Sequence, residues 1–244
     1  MVEDNAREQG SSATKTKPAL TYGSYLHVNE LLHLQHPLSP PELGPQIQAA
    51  ENFFITVHQT FELWFKQELI DLDCAADALD GPNPNPETAF DHLLRVIGIQ
   101  RLLNQHMAMF DHLSPAMFMA FRGYLGTASG SGSWQYRKVE RALGVRSPEP
   151  SRLYQGFAAA VERAGLTLDQ VYAHPAEAGI LYRLAEALVD ISEGFWLITA
   201  THVRVADRAI GARTGTGGTS GVSYLEEALK LKAFPELWDV RTRL

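Results

Sequence analysis

Apolar residues recur along this chain at the three- and four-residue spacing of α-helices, and no run alternates as a half-buried strand does. The longest such pattern predicts a helix over about residues 46–79, ended by the glycine and prolines of residues 81–86. Phe54, His58, Phe61 and Phe65 fall on one face of that helix. One polar ring, His58, therefore lies on an otherwise aromatic face.

A second long helix is predicted from just after His174-Pro175 to about Ile210, where Gly211 is its expected end. Its apolar face carries Phe195, Ile198 and Val205, with His202 as the exception. The remaining helical patterns are shorter and separated by Pro-, Gly- or Ser-rich turns. They cover residues 87–110, 116–125, 134–143, 152–164 and 224–231, and residues 22–34 form a short apolar segment before them.

These patterns predict an all-α fold: one helical-bundle domain over residues 19–244 with two long core helices. The chain has 244 residues, 45% of them hydrophobic, which is enough for one sizeable core. Residues 1–18 are polar and lack the apolar stretch of a signal peptide, so we expect a disordered leader there.

Charge and cysteine content narrow the functional classes. The formal net charge is −7 and no basic cluster occurs, so neither nucleic acid nor an anionic membrane is an expected partner. No apolar run is long enough for a membrane span. Cys74 is the single cysteine, which excludes an internal disulfide framework and fits a cytoplasmic protein.

His58 and His202 each allow two interpretations. Either is a hydrogen-bonded core histidine, or the two face one pocket, one as the proximal ligand of a haem iron and one over the substrate. The sequence has no His-Glu-x-x-His motif and no paired cysteines, so a hydrolytic zinc site is not indicated.

Two further features are candidates for ligand binding. Arg122 ends a largely apolar helical turn. There it either forms a structural ion pair or binds a substrate carboxylate in a bidentate manner, through two of its guanidinium nitrogens. The segment Gly215-Thr216-Gly217-Gly218-Thr219-Ser220-Gly221 follows a helix and lacks the features of phosphate-binding loops. It is either a surface loop or one whose backbone approaches a ligand closely.

Several ordered motifs resemble the tryptophan 2,3-dioxygenase family of haem enzymes, over most of the chain. They are Tyr22-Gly23-Ser24-Tyr25-Leu26, the segment from Phe54 to Trp64, Phe121-Arg122 with Ala128-Ser129-Gly130, Gln135 to Glu140, His202 with the glycine-rich loop, and Phe234 to Trp238. The resemblance implies an all-α haem b enzyme that uses dioxygen as co-substrate.

It also implies residue roles. His202 corresponds to the proximal haem ligand, and His58 to the distal histidine that hydrogen-bonds the indole N–H. Arg122 and Thr216 correspond to the groups that hold the substrate carboxylate and ammonium. The other implied positions are Phe54 and Phe118 as indole walls, Ser129 at the substrate, Gly217 and Gly218 at the cofactor, and Tyr22, Tyr25 and Leu26 as a segment entering the neighbouring subunit's pocket of a homotetramer.

The chain departs from the family pattern in places, so its reaction stays open. The stretch between Arg122 and His202 is shorter than expected, and Ser131-Gly132-Ser133 replaces a usual Phe-Gln-Ser. His106 and Met107 stand where a tryptophan is usual. We therefore consider ring-cleaving dioxygenation of L-tryptophan or a substituted tryptophan to an N-formylkynurenine, and monooxygenation at indole C2 to a 2-oxindole in a biosynthetic pathway. A haem-based sensor or binding protein is the alternative outside enzymes.

Overall fold

All regular elements in the described part of the chain, residues 19–244 of a computed structural model, are helical. The predicted all-α class is confirmed. In chain order the α-helices are α1 (Tyr22–Leu26), α2 (Val28–Leu31), α3 (Pro45–Asp80), α4 (Pro86–Met107), α5 (Pro115–Arg122), α6 (Trp134–Ala142), α7 (Arg152–Arg163), α8 (Leu168–Ala173), α9 (Pro175–Ala178), α10 (Ile180–Ile210), α11 (Val222–Ala228) and α12 (Pro235–Arg243). Short 3₁₀ turns occupy Pro41–Leu43, Ala108–His112, Gly123–Leu125 and Gly130–Gly132.

The described residues divide into two compact units, residues 19–36 and 37–244. In the first, Thr21 and Ser24 form a reciprocal cap at the start of α1. The predicted leader, residues 1–18, lies outside the described residues. The proposed single domain over residues 19–244 stays a prediction.

Glycine and proline set the ends of the two long helices of the second unit. Pro45 stands in the first turn of α3, where its missing N–H costs nothing, and Gly81 follows the helix. Gly211, with φ of +55°, follows α10. Within residues 19–244 no helix combines the length and the apolar character that crossing a membrane requires.

Three details of the prediction differ from the structure, and one of them is α12, whose residues were not predicted to be helical. The helix expected from just after Pro175 is interrupted at Gly179, whose φ of +53° lies outside the helical region, so α9 and α10 are separate. Helix α8 was not predicted, although Thr167 and Gln170 form a capping box at its start. Six residues are too few for a clear hydrophobic period.

α4 packs along both α3 and α10, whereas these two long helices have little direct contact with each other. The contacts are made by fully buried aliphatic side chains, among them Leu72, Leu93, Leu103, Leu184 and Leu188. Burying each such side chain contributes about 1.5–3 kcal/mol. α4 therefore fixes how the long helices are placed relative to each other.

Inside this core, the carboxyl group of Glu68 has no cationic partner among residues 19–244. Glu68 of α3 is 1% exposed, and its hydrogen bond comes from Gln100 Nε2 of α4 at 2.8 Å. Burial raises the pKa of Glu68 to about 7, and the Gln100 hydrogen bond only partly opposes this shift. Gly194 of α10 leaves room for the same amide, because a Cβ there would lie 2.4 Å from Gln100 Oε1.

We expect Glu68 to make the folded protein less stable in alkaline solution. Its folded pKa of about 7 lies above the ordinary 4.5, so its contribution is complete below pH 4.5 and is lost as pH rises through about 7. Glu68→Gln should therefore raise the unfolding free energy at pH 8 by on the order of 2–3 kcal/mol. Urea unfolding at pH 5 and pH 8 measures this.

The exposed Glu177→Gln variant is the control and should show no such difference between the two pH values. Equal effects of Glu68→Gln at both pH values would show that Glu68 is ionised throughout.

Candidate active site

His58 lies on α3 and is held in one tautomer by its own helix. Its Nδ1 is 2.8 Å from the carbonyl oxygen of Phe54, one turn earlier. A carbonyl only accepts, so Nδ1 carries the proton and Nε2 of the neutral ring keeps a lone pair. Burial lowers the pKa of His58, against the opposing effects of the Phe54 hydrogen bond and of Glu62, and the nearby His106 lowers it further. His58 is therefore suited to accept a hydrogen bond from a ligand N–H.

His202 lies on α10 as a second neutral imidazole. It is half-buried and makes no hydrogen bond with any residue between 19 and 244. Burial lowers the pKa of His202 to about 4, and electrostatic interaction with the His58 ring acts in the same direction. A neutral imidazole without a protein partner has a nitrogen lone pair available for a metal.

Aromatic rings surround His58. The ring centroid of Phe54 lies 4.2 Å from that of His58. The centroid of Phe110, in the 3₁₀ turn after α4, lies 5.2 Å from that of His58. Phe118 of α5 stacks on Phe54 at 5.7 Å, and the fully buried Phe121 meets Phe54 at 5.6 Å. These rings form apolar walls of the kind that bind a flat aromatic ligand.

Arg122, the last residue of α5, follows this aromatic cluster. One terminal nitrogen donates a hydrogen bond to the carbonyl oxygen of Thr214, at the start of the glycine-rich loop. Its Nε is buried and has no partner, and no carboxylate of residues 19–244 pairs with it. A buried guanidinium N–H without an acceptor is costly, so the site is suited to an added anion.

The glycine-rich loop is closed on itself and rests on a second loop. Gly215 N–H donates to the Thr219 oxygen at 3.1 Å, and Gly218, with φ of +74°, donates to the Gly215 oxygen. A Cβ at Gly217 would lie 2.9 Å from Ser129 Cβ. Thr216, between these contacts, is half-buried. The glycine-rich loop thus packs against Ser129 at Gly217, and Arg122 hydrogen-bonds Thr214 directly before it.

The N-terminal candidates lie in the first unit and are described there alone. Tyr22, Tyr25 and Leu26 of α1 are exposed. Their role in a neighbouring subunit's pocket stays a prediction.

Comparison with known proteins gives a direct match to one family. The family profile described as "Tryptophan 2,3-dioxygenase" matches residues 5–164 and 157–244. Relatives named tryptophan 2,3-dioxygenase include that of Serratia proteamaculans, 35% identical over 98% of this chain and 99% of its own length. The relative from Kineococcus radiotolerans is 34% identical over 100% of this chain and 98% of its own length. The relative from Burkholderia ambifaria is 36% identical over 93% of this chain and 84% of its own length.

The chain belongs to the tryptophan 2,3-dioxygenase family. Membership makes it an enzyme, a haem-dependent oxygenase. The alignment with the Serratia relative spans 284 positions, more than the 244 residues of this chain. The two profile matches meet at residues 157–164, within the stretch between Arg122 and His202 that the sequence indicated to be short.

Some residues of the candidate site in this tryptophan 2,3-dioxygenase family member received no role from the sequence. Phe110, the last residue of the predicted pattern over residues 87–110, lies in the 3₁₀ turn after α4, and its ring reaches His58. Asn104 and His106, in the last turn of α4, hydrogen-bond residues directly beside the two histidines. Polar residues at the end of a helix were the available signal, but a sequence does not show which neighbours they contact.

The contact between the two loops predicts an effect of Gly217→Ala. The added methyl group meets Ser129 Cβ and Ser131 Oγ at less than 3.0 Å, so backbone must shift. We expect a loss of about 1–3 kcal/mol in unfolding free energy, as for overpacked sites. Urea unfolding of the purified variant measures it.

Gly130→Ala is the matched control on the opposing loop, because nothing lies within 4 Å of a Cβ there. Equal stabilities of the Gly217→Ala and Gly130→Ala proteins would show that the two loops do not pack as described.

Proposed function

We propose that this oxygenase acts on L-tryptophan or a substituted tryptophan, cleaving the indole C2–C3 bond with dioxygen to give an N-formylkynurenine. The observation that carries the proposal is the pair of neutral histidines, His58 and His202, on separate long helices and within electrostatic reach of each other. Each has a free ring lone pair at neutral pH, and the two have different surroundings.

The residues present fit a haem group. His202 makes no hydrogen bond within residues 19–244 and is neutral, as a proximal iron ligand must be. Of the two glycines proposed at the cofactor, Gly218 has nothing within 4 Å of a Cβ, which allows close approach of a large flat group, whereas Gly217 faces Ser129. Haem b would be held by His202 and would supply dioxygen activation when bound.

The same surroundings fit the indole end of the substrate. His58 Nε2 accepts the indole N–H, because Nδ1 is committed to the Phe54 carbonyl. Phe54 and Phe118 contact the ring faces and exclude water from the reacting carbons. This hydrogen bond orients C2=C3 and increases electron density in the ring as charge develops.

The amino-acid end of the substrate meets the opposite part of the site. Arg122 offers its unpartnered Nε and a terminal nitrogen to the carboxylate, which replaces the Thr214 carbonyl as acceptor. Thr216 lies on the same loop and is the proposed partner of the ammonium group, with Ser129 beside it. Binding at both ends leaves the indole in one orientation.

The proposed assembly is a homotetramer with shared sites. Tyr22, Tyr25 and Leu26 are exposed on a five-residue helix that buries none of its own residues. Exposed aromatic and aliphatic residues at this density are typical of an interface. A second copy of the chain is the proposed occupant, as the family resemblance implies.

Product mass tests the reaction. Reduced, haem-loaded protein is given oxygen and a panel of L-tryptophan and its methylated and hydroxylated relatives. We expect a gain of two oxygen atoms, and no product from a 1-methyl derivative, which has no indole N–H for His58. A gain of one oxygen would establish the 2-oxindole reaction, and no product despite haem binding would favour a sensor.

Arg122→Leu tests the carboxylate contact. Losing a partly buried charge pair costs on the order of 2–4 kcal/mol, so KM for the amino acid should rise roughly 30- to 1,000-fold. KM for tryptamine, which lacks the carboxylate, should change little. Arg183→Leu removes an exposed arginine whose partner is Glu87 and serves as the control. Equal KM changes for both substrates would contradict this role of Arg122.

A further inference from the structure

The last turn of α4 contacts both long helices directly beside the two histidines. Asn104 Oδ1 accepts a hydrogen bond from Thr201 Oγ1 at 2.6 Å, and Thr201 immediately precedes His202 on α10. His106 Nε2 lies 3.2 Å from the carbonyl oxygen of Val57, which immediately precedes His58 on α3. Two side chains of one helical turn thus reach both halves of the site.

Both hydrogen bonds are made in addition to the regular backbone hydrogen bonds of α3 and α10. A mid-helix carbonyl oxygen such as that of Val57 already accepts a hydrogen bond from the N–H four residues later. His106 Nε2 therefore donates to the second lone pair of the Val57 oxygen. The His106 ring also packs on Phe61, with centroids 4.9 Å apart. Thr201 likewise has its backbone bonds within α10, and its hydroxyl is directed to Asn104. Both contacts are half-buried, where hydrogen bonds are less weakened by water.

The packing of the helices gives these bonds their importance. α3 and α10 have little direct contact, and α4 packs along both. The distance between His58 and His202 is therefore set through α4 more than by α3 meeting α10. The polar contacts nearest to the histidines on that route are those of Asn104 and His106.

We propose that Asn104 and His106 are positioning residues that together set the separation between His58 and His202. This inference rests on the proposed function, in which His202 ligates haem iron and His58 stays off the iron to bind the substrate. A fixed separation keeps His58 Nε2 out of ligation range. Without it the two histidines would no longer be held apart, and His58 would become a second candidate ligand for the haem iron.

The spin state of ferric haem reports this directly. Thr201→Val removes the hydroxyl donor with little change of shape, and His106→Leu removes the ring donor. In each haem-loaded variant we expect about a fivefold rise in the ratio of low-spin to high-spin haem, the factor that one lost hydrogen bond produces. Absorption and electron paramagnetic resonance spectra of the ferric protein measure the ratio.

Matched variants separate hydrogen bonding from packing. Thr201→Ser and His106→Gln keep a donor and should retain the wild-type ratio, and Gln105→Leu changes the exposed residue of the same turn. Adding His58→Ala to Thr201→Val should abolish the low-spin signal, since His58 is its source. Thermal unfolding within a few degrees of wild type confirms that each variant is folded.

The outcomes separate this inference from the proposed function. An unchanged ratio in the folded Thr201→Val/His106→Leu double variant would overturn the positioning role while leaving haem ligation intact. A wild-type protein that is already low-spin through His58 would overturn it too. A wild-type protein that binds no haem, or a His202→Ala protein with an unchanged Soret band, would overturn the proposed function and with it this inference.

Discussion

The packing of α4 along both α3 and α10 is the constraint on which the rest of the molecule depends. The two long helices are far apart in sequence, and each carries one of the histidines of the site. Because they hardly touch each other, a shared neighbour must bring those histidines into register. The fully buried leucines of α4 supply the apolar contact, and its last turn supplies the polar contacts at the site. Fold and active site are thus determined by the same helix.

Desolvation has opposite consequences for the ionisable groups of this protein. It keeps His58 and His202 neutral, which leaves their lone pairs free for a substrate N–H and a metal. It holds Glu68 partly protonated in the core, where no cation compensates it. Arg122 cannot lose its charge, so burial of its Nε leaves a requirement for an anion. These surroundings suit the ligand that we propose, which has an N–H at one end and a carboxylate at the other.

Much of the fold could be predicted from the sequence because its signals are local. The proline and glycine residues at the ends of α3 and α10 act within one turn of the chain. The break at Gly179 was missed, since a glycine between two helical patterns is compatible with one continuous helix. α8 was missed because a capping box without a long apolar period is a weak signal.

The candidate site was predictable to a lesser extent. His58, His202 and Arg122 stood out as polar residues on apolar faces, and the family resemblance gave them roles. The contacts of Asn104 and His106 depend on how far α4 is displaced along its neighbours, and no residue pattern encodes that displacement. The proposed role of Tyr22 and Tyr25 depends on a second chain, which one sequence alone does not place.

The close approach of Gly217 to Ser129 has an evolutionary consequence. Two loops separated by most of the second half of the chain fit together only if one lacks a side chain and the other has a small one. A larger residue in place of Ser129, or a side chain in place of Gly217, would require the backbone of the two loops to move apart. A side chain added in one of these segments therefore requires a compensating change in the other, so the two segments are expected to change together.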